Sequence, residues 1–225
     1  MAGKFDIKFK NRFYKILKMY NVSDYLSPKQ IKDVETIVLR SYNDGQRFYH
    51  TLEHINECLD IFIKVRGMCN HPLNVFFAIL FHDIVYVPGA SDNEVKSAQL
   101  MWEYCEKFDC IDAIAVYNYI ELTKEHKIGH DHDWKIFRDI DMYILGANGR
   151  RFMAYDNALQ FEYFHYIEVF PEKRVEFLES IDLENIYATE YFDNRYGEKA
   201  RLNIKLLISH YKAVIDRRQK RLNYF

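Results

Sequence analysis

Along most of this chain, apolar residues recur at spacings of three and four, the period of an amphipathic helix. Phe9, Phe13, Ile16, Leu17 and Tyr20 form the first such stripe and predict a helix over 5–19. Ser27 followed by Pro28 is an N-cap with proline at the first helical position, opening a helix that reaches about Arg40. Asn43-Asp44-Gly45 is a turn. A third helix is expected over 51–64, with Leu52, Ile55, Leu59, Phe62 and Ile63 as its buried stripe. Pro72 opens the next, over 73–85, whose residues are nearly all apolar and therefore belong at the centre of the core. Val87-Pro88-Gly89-Ala90 is a loop, and Ser91 with Glu94 reads as a capping box that starts a helix towards Lys107. Further helices are expected over 111–125, 134–145, 151–168, 172–180 and 197–219. Stretches 36–39 and 84–87 are β-prone but sit in helical or loop context. The expected fold is all-α, one helical bundle over 1–225 with its motif-bearing core at about 45–150.

Composition sharpens that picture. The 225 residues include Gly 8 and Pro 4, where average usage of roughly 7% and 5% gives about 27 together. Long helices and short loops need few of either. Apolar content of 49% and aromatic content of 16% exclude disorder as the dominant state. Lys+Arg 31 against Asp+Glu 33 leaves a net charge of −2, without the basic excess of a dedicated nucleic-acid binder. Cys58, Cys69, Cys105 and Cys110 form no C-x-x-C pair, so free thiols in a reducing compartment are expected. The longest strongly apolar run, Val75 to Phe81, is far short of the ~20 residues that span a bilayer, and the start lacks the pattern of a signal peptide. A cytoplasmic protein is the expectation. The aromatic stripe Phe152, Tyr155, Leu159, Tyr163 and Tyr166 reads as core, and the basic run 217–221 as a solvated helix end.

The candidate chemistry lies in three oddities. His50 and His54 are four apart and share one face if both are helical. His82-Asp83 interrupts an otherwise apolar segment, and Asp139 and Asp141 lie between Phe137 and Leu145. Burying an imidazole beside a carboxylate is costly unless something compensates the charge. A divalent metal does so and takes those same groups as ligands. Satisfied core histidines and solvated aspartates are the plainer alternative. Asp139 and Asp141 are about 200° apart around a helix, so only one of them can face a given site. His130 and His132 read as part of a solvated loop.

Arg47-Phe48-Tyr49-His50-Thr51-Leu52-Glu53-His54, Phe81-His82-Asp83-Ile84-Val85-Tyr86 and Asp92-Asn93-Glu94-Val95-Lys96-Ser97-Ala98 together resemble the HD-domain superfamily of metal-dependent phosphohydrolases. They are most similar to its group marked by R-x-Y-H-x-x-x-H, F-H-D-x-V-Y and N-E-x-x-S-A. Thr123-x-x-His126, Asp139-x-Asp141 and 155–163 follow in order, so the resemblance covers roughly 10–210. It implies one divalent ion (Mn, Fe, Co, Ni or Zn) held by His54, His82, Asp83 and an aspartate, for which Asp141 is preferred over Asp139 because such ligands often precede an apolar residue. It further implies His50 as proton donor, Asp83 and Glu94 as groups that orient or deprotonate water, and Arg47 and His126 as substrate contacts. The implied activity is hydrolysis of a phosphoester in a nucleotide or nucleotide-like small molecule.

The pattern also departs from the family. Thr51 replaces the asparagine found after the first histidine in the similar cyclic-nucleotide phosphodiesterases, and 159–163 lacks an arginine common in the group. The HD-x-x-E-D of guanosine tetraphosphate hydrolases is absent, and Asn93 stands where binuclear relatives carry a histidine. Two competing expectations are a non-catalytic nucleotide-binding protein and a di-iron oxygenase, the latter disfavoured by Asn93.

Overall fold

Every regular element among the described residues is helical, as the spacing of apolar positions predicts. The structure, a computed structural model, describes residues 3–126, 129 and 131–222. The chain divides into two compact units, Met1–Asp141 and Met142–Phe225.

The first unit contains α1 (Lys4–Met19), α2 (Pro28–Tyr42), α3 (Leu52–Val65), α4 (Pro72–Phe81), α5 (Asn93–Cys105), α6 (Ala113–Leu122) and α7 (His132–Met142). The start of α2 matches the sequence expectation. Gln30 N donates to Ser27 Oγ at 3.3 Å, and Ser27 N donates to the Gln30 side chain at 2.9 Å. The apolar run Val75 to Phe81 is wholly buried in α4. Phe13 of α1 and Phe62 of α3 pack their rings on Phe76 at 6.0 and 6.2 Å, so α4 forms the centre of this unit. Burying each such ring is worth about 1.5–3 kcal/mol. α6 packs on α4 and α5, and α7 contributes the buried residues Trp134, Phe137 and Ile140.

Three boundaries beside the candidate residues differ from the expectation, each for a reason visible in its hydrogen bonds. Thr51 is the N-cap of α3, its hydroxyl accepting from Glu53 N at 3.2 Å, so His50 lies in the turn before the helix and not on it. α4 ends at Phe81, leaving His82 and Asp83 in a turn. Arg47 binds the carbonyls of Asp83 and Ile84 there, and Ser97 Oγ meets both N and O of Val85. Ser97 thus takes up the Val85 N–H that a longer helix would have paired, and Arg47 and Ser97 meet carbonyls that have no partner in a helix. The Ser91–Glu94 capping box does not form. α5 starts at Asn93 behind Asp92, which makes no side-chain cap, and the Asn93 carboxamide instead pairs with Val87 N and O at 3.0 and 2.9 Å. Gly89 lies between them at φ 80°, a backbone that L side chains rarely adopt.

The second unit contains α8 (Gly149–Glu162), α9 (Phe170–Ser180), the short α10 (Glu190–Phe192) and α11 (Glu198–Leu222), with α9 against α11. α8 stops six residues before the expected 168, and a 3-10 turn, Phe164–Tyr166, follows. Phe152, Tyr155 and Leu159 are core, as read from the sequence, whereas Tyr166 is exposed. Under the stripe, buried Asp156 accepts from Arg174 Nε at 2.9 Å and from Tyr211 Oη. A Cβ at Gly146 would fall 2.6 Å from the carbonyl oxygen of Tyr196, an approach only glycine allows. Residues 217–221 form an exposed helix end. His132 opens α7 instead of lying in a loop, its Nε2 bonded to Met68 O at 2.8 Å, while His130 lies outside the described residues. All four cysteines are free. No helix among the described residues is long and apolar enough to cross a membrane.

Candidate metal centre

Three elements of the first unit converge on one point: the first turn of α3 with His54, the turn after α4 with His82 and Asp83, and the end of α7 with Asp141. His54 and His82 are each 1% exposed, and their Nε2 atoms approach to 3.1 Å. Asp141 Oδ1 lies 3.2 Å from the first nitrogen and 3.4 Å from the second. Ligand atoms held about 2.1 Å from a single ion sit about 3.0 Å apart at right angles and about 3.4 Å apart at tetrahedral angles. The three observed separations fall in that window.

Hydrogen bonding supports the same reading. His82 Nδ1 donates to Ile79 O at 3.1 Å, which leaves the lone pair on Nε2. Beside the His54 ring lies Cys58 Sγ, 3.7 Å from Nδ1 and 3.9 Å from Nε2. The two Nε2 atoms face each other at 3.1 Å, close enough to share one proton or one metal ion. The charges agree. Burial alone would lower the His82 pKa, but Asp83 and Asp141 raise it well above the ordinary histidine value. Burial would likewise raise the Asp141 carboxyl, yet His82 and the hydrogen bonds of His126 and His54 hold it well below the usual carboxylate range. The centre therefore attracts positive charge, and a divalent cation can replace the proton. His54, His82 and Asp141 form a group that can hold a metal ion, their ligand atoms all within 4.8 Å of one another.

The remaining predicted residues fall around this trio. Asp83 Oδ2 lies 3.0 Å from His82 Nε2 and 3.9 Å from His54 Nε2, and stands outside the mutually close three. His82 and His50 hold its carboxyl below the ordinary value against the opposing effect of burial. His50 Nε2 is 3.8 Å from Asp83 Oδ2, with its ring stacked on Tyr86 at 4.0 Å. His126, at the left-handed φ of 48°, brings Nε2 to 2.9 Å from Asp141 Oδ2, turning Oδ1 towards the histidines. Asp139 is fully buried beside Arg138, Nη1 to Oδ1 3.2 Å, and is not part of the group.

Arg47 is placed differently from a phosphate contact. Nη1 donates to Asp83 O at 2.6 Å and His50 O at 3.2 Å, and Nη2 to Ile84 O at 2.9 Å, with the rings of Tyr42 and Tyr86 on either side. Its fork ties the His50 turn to the His82–Ile84 turn. Glu94 stands half-buried in the first turn of α5, and its side chain makes no hydrogen bond or ion pair among the described residues. Cys58, read from the sequence only as a free thiol, lies beside the His54 ring, as its place four residues on along a helix allows. Asn93 and Ser97 matter as braces of 85–87, which their polar side chains in an amphipathic helix do not reveal.

No family model, no curated protein and no solved structure matches this chain.

Proposed function

We propose that this protein is a metal-dependent phosphohydrolase of HD type, cleaving a phosphoester in a nucleotide or nucleotide-like small molecule. The observation that carries the reading is the meeting of His54 Nε2, His82 Nε2 and Asp141 Oδ1 at 3.1–3.4 Å in a buried site. Two nitrogen donors and carboxylate oxygen suit a borderline divalent ion such as Mn, Fe, Co, Ni or Zn. Such an ion supplies Lewis acidity toward a phosphoryl oxygen and acidifies water.

The chain's own groups do the rest. Asp83 Oδ2 stands between His82 and His50, positioned to accept a proton from water at the site. His50, held against Tyr86, presents Nε2 as the proton donor for the leaving oxygen. His126 fixes the Asp141 carboxylate by its outer oxygen. Glu94, released from the capping box, is available as a further base. Asn93 spends its carboxamide on Val87, which supports a single ion over a binuclear site.

The test is metal content of protein purified without chelators, followed by a phosphate-release screen over nucleotides with added Mn²⁺. The reading expects one ion per chain and turnover, with both lost in His82→Ala and Asp141→Asn. Bound metal with nucleotide binding but no turnover would favour the non-catalytic alternative, and absence of metal in a folded protein would refute the site.

A further inference from the structure

His126 is held at three points. Its N–H donates to Leu122 O at 3.1 Å, closing the turn after α6. Its ring Nε2 meets Asp141 Oδ2 at 2.9 Å. Its carbonyl accepts from Nε of Arg138, three residues before Asp141 on α7. Between these contacts the backbone takes a φ of 48°, a left-handed conformation that is costly for a non-glycine residue and persists where its surroundings impose it. Arg138 is buried, and its Nη1 donates to the fully buried Asp139 at 3.2 Å. Neutralising Asp139 accounts for that second bond and not for the one to His126.

We propose that Arg138 is a positioning residue for the metal centre: its Nε–H holds the His126 carbonyl and thereby fixes the left-handed turn from which the His126 ring grips Asp141. Positions 138 and 141 are neighbours on one side of α7, so a single helix takes hold of His126 by its carbonyl and by its ring. Asp141 then keeps Oδ2 on His126 and turns Oδ1 to His54 and His82. The inference rests on the metal-site reading above.

The experiment turns on the ε atom of the side chain at position 138. Lysine keeps the charge but has a methylene where arginine has Nε–H. Once Asp139→Asn has removed the buried carboxylate, glutamine places an amide N–H at that atom and methionine a methyl group. Mn²⁺ affinity is measured by calorimetric titration on wild type, Arg138→Lys, His126→Ala and the double variant. It is measured again on Asp139→Asn, alone and combined with Arg138→Gln or Arg138→Met. The expected result is affinity about fivefold weaker in Arg138→Lys, the worth of one hydrogen bond, with no further loss when that change is added to His126→Ala. In the Asp139→Asn background, Arg138→Gln should leave affinity unchanged and Arg138→Met should weaken it about fivefold. General loosening of the core would instead add its effect to that of His126→Ala. Wild type that binds no Mn²⁺ overturns the metal site and this inference together. Wild type that binds, with Arg138→Lys equal to it or with additive losses in the double variant, overturns the role of Arg138 alone. If Arg138→Lys does not fold, the glutamine and methionine variants decide, and equal affinity in those two overturns the role.

Discussion

Arg47 offers the sharpest separation between a residue that serves substrate and one that builds the site. Its guanidinium makes three bonds to backbone carbonyls, at 2.6, 2.9 and 3.2 Å, from two turns that carry His50, His82 and Asp83. Hydrogen bonds from a charged donor contribute about 1.5–3 kcal/mol each. Arg47 is half-buried, so water can replace only part of what is lost. Taking the two short bonds at the lower value and the long one as replaced by water, Arg47→Ala should cost about 3 kcal/mol. Lysine keeps the charge but cannot reproduce a planar fork across three carbonyls, so Arg47→Lys should recover less than half of that loss. The assay is urea unfolding, with the midpoint read at unchanged slope, alongside Mn²⁺ affinity. Arg47→Ala within about 0.5 kcal/mol of wild type, combined with a raised KM for a phosphoester, would refute the clamp and return the guanidinium to the substrate.

His126→Ala should weaken Mn²⁺ affinity about tenfold without altering thermal unfolding, and unchanged affinity would show that Asp141 needs no help in orientation. Tyr211→Phe removes a donor from buried Asp156 and should cost about 1–3 kcal/mol in urea unfolding; a cost near zero would mean that Arg174 and Gln160 satisfy that carboxylate alone. Phe76→Ala should cost about 3–5 kcal/mol, because its ring packs against three other phenylalanines; a smaller loss would show that α4 collapses into the space. For the Tyr14–Glu35 pair, burial alone would raise the Glu35 carboxyl, but hydrogen bonds from Tyr14, Lys32 and Lys10 lower it overall. The Tyr14 hydroxyl is pushed from 10.0 to about 12 by its bond to Glu35, then by burial. Stability from Glu35 is therefore complete above the ordinary glutamate range and lost as pH falls through the lowered value, while that from Tyr14 is complete below 10.0 and lost towards 12. Tyr14→Phe should flatten the alkaline limb of a pH–stability profile, and an unaltered limb would refute the pairing.

Helical periodicity made the all-α architecture and the central place of α4 legible, since a run such as Val75 to Phe81 has no other stable home. The site was legible in its residues more than in its geometry. The 3.6-residue arc allowed only one of Asp139 and Asp141 to face the site, but burial of Asp139 beside Arg138 depends on tertiary packing. The end of α4 was misjudged because distant side chains set it: Arg47 lies more than thirty residues from the carbonyls of Asp83 and Ile84 that it binds, and Ser97 lies twelve from Val85. Local pattern carries no trace of such bonds. The Ser91–Glu94 motif failed for a related reason, since Asn93 found partners in the preceding loop.

The early stop of α4 has an electrostatic consequence. A helix gathers partial negative charge at its carbonyl end, and α4 ends at Phe81, directly before His82, with no Lys or Arg in its last turn. Its flanks are buried side chains with little water to screen that field. Cations placed at His82 are thus favoured by the axis of the core helix as well as by the ligands around them. A helix continuing to residue 85 would have carried that pole past the histidine, and by ending where it does, α4 makes the hydrophobic centre of the protein part of its cation-binding field.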